Sequence, residues 1–176
     1  MNVDYYKKIA NSSAHRKSRD ENKDFIFEHP EYLSDLVEIA FDTNDKNHHK
    51  ACWILELICE EQINLFKPFI VDYCNSLKKF KSESAIRSIS KIGMFIVNDK
   101  SIELDNEQEE QIIETFLDWL IQTDKAANAA YSMRALYQLG KKHSWVNEEL
   151  KTLLQRDCSD QTPGYKFAVK DILKRL

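Results

Sequence analysis

The chain has 176 residues, with 25 Lys and Arg against 29 Asp and Glu and a formal charge of −4. That is about the length of one compact domain, and 43% apolar residues with 11% aromatics bury roughly two-thirds of the unfolded surface, which excludes a disordered chain. Three glycines and three prolines are too few turn residues for a strand-rich fold, and the near-balanced charge singles out no class of partner.

In chain order, Val3 to Ala10 and Asp20 to His29 are expected helices, separated by a break at Asn11, Ser12 and Ser13. From Leu33 onward one apolar spacing, positions 0, 3, 4 and 7 of a helical stripe, returns again and again. It occurs as Leu33, Leu36, Val37, Ala40, then Ala51, Ile54, Leu55, Ile58, then Phe66, Phe69, Ile70, Tyr73. It continues as Ala85, Ser88, Ile89, Ile92, then Ile113, Phe116, Leu117, Leu120, then Ser132, Ala135, Leu136, Leu139. Val146, Leu150, Leu153, with a mismatch at Glu149, and Val169, Ile172, Leu173, Leu176 complete the series. The stripes at 51, 85, 132 and 169 are the first helices of pairs, and those at 33, 66, 113 and 146 the second. From second to first helix the offsets are 18, 19, 19 and 23 residues (33 to 51, 66 to 85, 113 to 132, 146 to 169). The larger gap from 85 to 113 places an inserted loop over residues 98–106, where Asn98, Asp99, Asp105 and Asn106 favour turns.

Capping residues support these boundaries. Ser82 and Ser84 precede the stripe at 85, Asp105 with Gln108 has the spacing of a capping box, and Ser144 with Trp145 suggests an N-cap and a hydrophobic staple. Pro30 and Pro163 fall where first helical turns belong. Trp53, with Leu57, lies off its own stripe and is expected to contact the next repeat, and Trp119 leans the same way.

No apolar run reaches the ~18 residues of a membrane span, and Met1-Asn2-Val3-Asp4 begins no apolar signal core. Cys52, Cys59, Cys74 and Cys158 lack the short paired spacings of zinc sites. They are expected to be reduced thiols in a cytoplasmic protein, with no membrane association and no cofactor.

Antiparallel helix pairs at this period, without strands or glycine turns, resemble HEAT and armadillo repeats. Lys50-Ala51-Cys52-Trp53-Ile54-Leu55-Glu56 and Ala135-Leu136-Tyr137-Gln138-Leu139 resemble segments of short bacterial HEAT-like proteins, some of which carry the label adenylosuccinate lyase. The resemblance implies an all-α, right-handed α-α superhelix of about four helix pairs, forming one repeat domain over residues 1–176. The lyase label implies a glycine- and serine-rich loop holding a catalytic serine. Gly93, Gly140 and Gly164 each abut a helix instead, so the motif is missing.

Few residues suggest chemistry of their own. His48 and Cys52 share a helix face, with His49 beside them, but a metal site needs three or four ligands. His15, His29 and His143 accompany no nucleophile on a strained glycine turn, and no glycine-rich phosphate loop exists. Glu60-Glu61, Glu109-Glu110 and Glu148-Glu149 point about 100° apart on a helix and are expected on solvated faces. HEAT-like alkylpurine DNA glycosylases need a basic, aromatic concave face. Here the basic groups gather at helix ends, where the helix dipole favours them, and Lys166, Lys170 and Lys174 form a stripe expected to be a solubilising cap.

In HEAT-type stacks the second helices line the concave face. An arc opposite each buried stripe then selects, among other residues, the acids Glu31, Asp35, Glu38, Asp42, Asp72, Asp118 and Glu148, with Trp119, against the two lysines Lys79 and Lys151. A face so rich in acids repels phosphates and attracts cations. The expected function is a non-catalytic interaction or scaffold module that holds a protein or peptide partner, a basic one being what the acids would favour, with Trp119 as an apolar anchor. The alternative is a HEAT-like DNA-binding protein or alkylpurine DNA glycosylase.

Overall fold

A computed structural model describes residues 2–122, 126–156 and 158–176. The described elements are all helical, with no strand among the described residues. They are α1 (Val3–Ala10), α2 (Arg16–Glu28), α3 (Leu33–Phe41), α4 (His48–Gln62), α5 (Ile70–Ser76), α6 (Glu83–Asn98), α7 (Asn106–Gln122), α8 (Ala126–Leu139), α9 (Ser144–Leu154) and α10 (Pro163–Leu173). Short 3-10 segments run over Pro30–Tyr32, Ile63–Phe69 and Leu77–Lys79. No helix is long and apolar enough to cross a membrane among the described residues.

The periodic stripes are the core. Leu36, Ala40, Ala51, Ile54, Leu55, Ile58, Ala85, Ile89, Ile92, Phe116, Ala135 and Leu136 have no exposed surface. Each large side chain so buried contributes about 1.5–3 kcal/mol, which fixes the face that every helix turns inward.

One expected helix is not continuous. Instead of a single α-helix through Phe66, Phe69, Ile70 and Tyr73, the chain is 3-10 over Ile63–Phe69 and becomes α-helical only at Ile70. Pro68 is the physical cause, because it offers no N–H and its ring would strike the carbonyl one α-turn back. Phe66 and Tyr73 still share the core, ring centroids 5.9 Å apart and edge to face.

The capping box is present as read. Gln108 donates its backbone N–H to Asp105 Oδ1 at 2.8 Å, and the Gln108 side chain accepts the Asp105 N–H at 3.1 Å. Residues 99–105 connect α6 to α7, where the inserted loop was expected. Pro30 and Pro163 begin a 3-10 turn and α10 respectively. Ser82 stands directly before α6, its carbonyl accepting the Ile86 N–H at 2.9 Å, but neither Ser84 nor Trp145 serves a helix start. Ser84 lies inside α6 and accepts a hydrogen bond from Trp53 Nε1 at 2.8 Å, the expected contact of Trp53 with the next first helix. Trp145 is 51% exposed and staples nothing, because α9 already begins at Ser144 and places it within the first turn.

The contacts divide the chain into two compact units, residues 1–89 and 90–176, with the boundary inside α6; the sequence treats residues 1–176 as one repeat domain. In the first unit α1, α2 and α3 all pack on α4, and α3 also meets α5. Residues 2–29 are tied in by Asn2, whose side chain accepts the N–H groups of Asp4 and Tyr5 and whose own N–H donates to Asp35 at 2.7 Å. Tyr6 donates to Asp45 at 2.8 Å, and the rings of Tyr5, Phe25 and Tyr32 form a cluster with centroids 5.8, 5.0 and 5.6 Å apart. In the second unit α8 is central, packing against α7, α9 and α10.

Candidate functional site

Burial of one face dictates what the other presents. With Leu33, Leu36, Val37 and Ala40 turned into the core, α3 leaves Ser34, Glu38 and Asp42 in an i, i+4, i+8 row. Burial of Ile70, Tyr73 and Cys74 on α5 likewise leaves Asp72 and Asn75 outward at i and i+3, with Lys79 exposed in the 3-10 turn that follows. The two rows face each other across an open groove of about 510 Å³, floored by Val37, Phe41 and Phe69. Phe41 is held from beneath by Phe66 and Phe80, both edge-on at 6.4 and 6.3 Å. Asp42 follows the last residue of α3, and its Oδ1 accepts the Asn44 N–H at 3.1 Å, which fixes the carboxylate at the groove's edge.

Three carboxylates, Glu38, Asp42 and Asp72, thus oppose one ammonium, Lys79. All four are exposed. An apolar floor inside a negative rim can take an aliphatic or aromatic side chain carried beside a cation.

The structure distributes the remaining expected residues differently. Asp35 is half-buried and engaged by the Asn2 N–H, away from the groove lining. Glu31 stands in the 3-10 turn beside His29, 3.5 Å from its Nδ1. Asp118 on α7 and Glu148 on α9 are exposed residues of the second unit. Trp119 requires a correction: it is 6% exposed and stacks on Phe116 at 5.2 Å, so it is a core side chain and not a surface anchor. The arc that selected it ignored the breadth of the buried face of α7, which includes Ile112, Thr115 and Phe116.

A second cavity of about 300 Å³ lies in the second unit, walled by Ile96, Ile102, Leu104 and Leu139 with Glu109 at its side. Glu109 is 8% exposed and not on a solvated face. Its Oε2 meets Lys142 Nζ at 2.8 Å and His143 Nε2 at 2.6 Å. Burial raises the carboxyl's pKa, but the hydrogen bonds and charges of Lys142 and His143 outweigh it and hold the group below its ordinary value. The result is a neutralised ion cluster that pins the turn between α8 and α9 onto α7. Its sequence signal was present, since Glu109 precedes Ile113 by one helical turn on the buried stripe; its partner 34 residues away was not readable.

The residues weighed for a metal turn to other tasks. His48 lies against the Phe80 ring at 6.0 Å, and Cys52 Sγ is 3.5 Å from the Ala40 carbonyl, to which it donates. Burial pushes the Cys52 and Cys59 thiols well up, which keeps them protonated and unreactive. Among the described residues no group of three or more His, Cys, Asp or Glu is placed to hold a metal ion. Comparison of the chain with protein-family models, curated proteins and solved structures finds no match.

Proposed function

We propose that the protein is a non-catalytic interaction module of HEAT-like repeats which holds a basic, partly apolar segment of a partner protein in the groove between α3 and α5. The observation that carries this reading is the convergence of Glu38, Asp42 and Asp72 around the Phe41 and Phe69 floor. Glu38 and Asp72 come from α3 and α5 and Asp42 from the cap that ends α3, and each was selected from the sequence as a member of one face. The near-constant offsets between helix pairs support a right-handed α-α superhelix as the scaffold, and binding on an extended face is what such scaffolds do. The thiols Cys52, Cys59 and Cys74, buried and unbridged, suit a reducing, cytoplasmic setting.

The test is fluorescence anisotropy with a labelled peptide of alternating lysine and leucine. Binding should weaken by about tenfold or more between ~0.05 M and ~0.5 M salt, because the rim charges are exposed and screened. The double change Glu38→Lys with Asp72→Lys should abolish binding while leaving the helical circular-dichroism spectrum unchanged, and Lys79→Glu should strengthen it. Equal affinity for the double variant and the wild type would refute the assignment.

A further inference from the structure

The groove calls for a segment that carries an apolar side chain beside cations, and this chain displays one. On α10, Ala168, Val169 and Ile172 are buried, which turns Phe167, Lys170 and Lys174 outward at i, i+3 and i+7. Phe167 is 70% exposed, more than any other large apolar side chain described. Lys170 and Lys174 are exposed alongside it. The helix start is fixed by Thr162, whose hydroxyl accepts the Tyr165 N–H, and by Pro163 in the first turn. Lys166 is not part of this face, since its Nζ donates to the Ser159 carbonyl at 2.6 Å.

We propose that the exposed face of α10 in one copy of the chain docks into the α3–α5 groove of a second copy. The proposal rests on the groove being a binding site, as read above, and names its occupant. Phe167 would enter against Phe41 and Phe69, and Lys170 and Lys174 would meet the carboxylates of Glu38, Asp42 and Asp72. Charge complementarity selects this pairing: the groove rim carries three acids against Lys79, and the α10 face carries two lysines. Each copy has a formal charge of −4, so two copies repel at long range and can attract only where such opposite patches meet. The contact is heterologous, one surface meeting a different one, so it gives closed or open assemblies of two or more copies. A single helix of 11 residues covers less area than a standard interface, which places the association in the weak class that salt readily suppresses.

Sedimentation equilibrium of the full chain at low salt provides the test. The wild type should pass from monomer to larger species as concentration rises, and Phe167→Ser should weaken that association at least tenfold. Lys170→Glu with Lys174→Glu should be monomeric, and so should Glu38→Lys with Asp72→Lys, each with an unchanged helical spectrum. Mixing these two charge-reversed proteins in equal amounts should restore association, because each supplies the complement of the other's altered face. A wild type that stays monomeric up to ~0.5 mM, where a contact with a Kd of ~0.1 mM would be mostly formed, would overturn the proposal. So would undiminished association of either variant, or a mixture that remains monomeric. The Lys170→Glu, Lys174→Glu protein keeps its groove, so its binding of the lysine–leucine peptide separates the two claims. Peptide binding together with a monomeric wild type rejects the second copy as occupant and retains the groove, whereas loss of both rejects both.

Discussion

A histidine 7% exposed and lying against the ring of Phe80 favours its neutral form. For His48, burial is the main cause of a lowered pKa and the neighbouring His49 adds to it, while Asp45, the Ala40 carbonyl and Asp42 act in the opposite direction. An unfolded chain therefore takes up this proton more readily than the folded one. The contribution of His48 to stability is complete above its ordinary value of 6.5 and is lost as the pH falls below it. Urea denaturation at a series of pH values should show a shallower acid decline for His48→Phe than for the wild type. An identical slope would show that His48 does not act in this way. At this scale the sequence identified residue types better than their surroundings. The burial of Trp119 and the pairing of Glu109 with His143 depend on contacts between helices, and a stripe on a single helix carries no information about those.

Between elements, the buried carboxylate of Glu56 joins α4 to α6. Glu56 is 1% exposed and accepts hydrogen bonds from Arg87 Nη1 at 2.7 Å and Ser88 Oγ at 2.6 Å. Arg87 is partly exposed, with 35% of its side chain reaching solvent, so the two partners respond unequally to loss of the other. Arg87→Met removes the guanidinium from a carboxylate that cannot reach water and should cost about 3–5 kcal/mol. Glu56→Gln keeps an acceptor for Ser88 and leaves Arg87 able to solvate, so it should cost less. The double variant should be more stable than Arg87→Met alone, and chemical denaturation of the three proteins measures the coupling. The helices themselves were legible in the sequence, because a four-residue apolar stripe and a reciprocal Asp105–Gln108 cap are local signals. The break before α5 was also local, written in Pro68, but the regular stripe through Phe66 and Tyr73 masked it. Both side chains stay buried whether the backbone is α-helical or 3-10 there.

Across the whole molecule, two compact helical units each bury their own stripes, and the first also gathers three of the acids read from the sequence around one groove. That much was legible because an amphipathic helix fixes its outward row once its inward row is known. The distribution of Asp35, Asp118 and Glu148 was not, since it depends on tertiary partners such as the Asn2 N–H. The groove as a cation-seeking binding site is tested most directly by following the amide signals of the isotopically labelled protein during titration with the lysine–leucine peptide. Shifts that saturate and cluster at Ser34, Glu38, Asp42, Asp72 and Asn75 are predicted, and their loss in the Glu38→Lys, Asp72→Lys protein with them. Shifts confined to other surfaces, or none at peptide concentrations well above ~1 mM, the range of the weakest specific contacts, would contradict it.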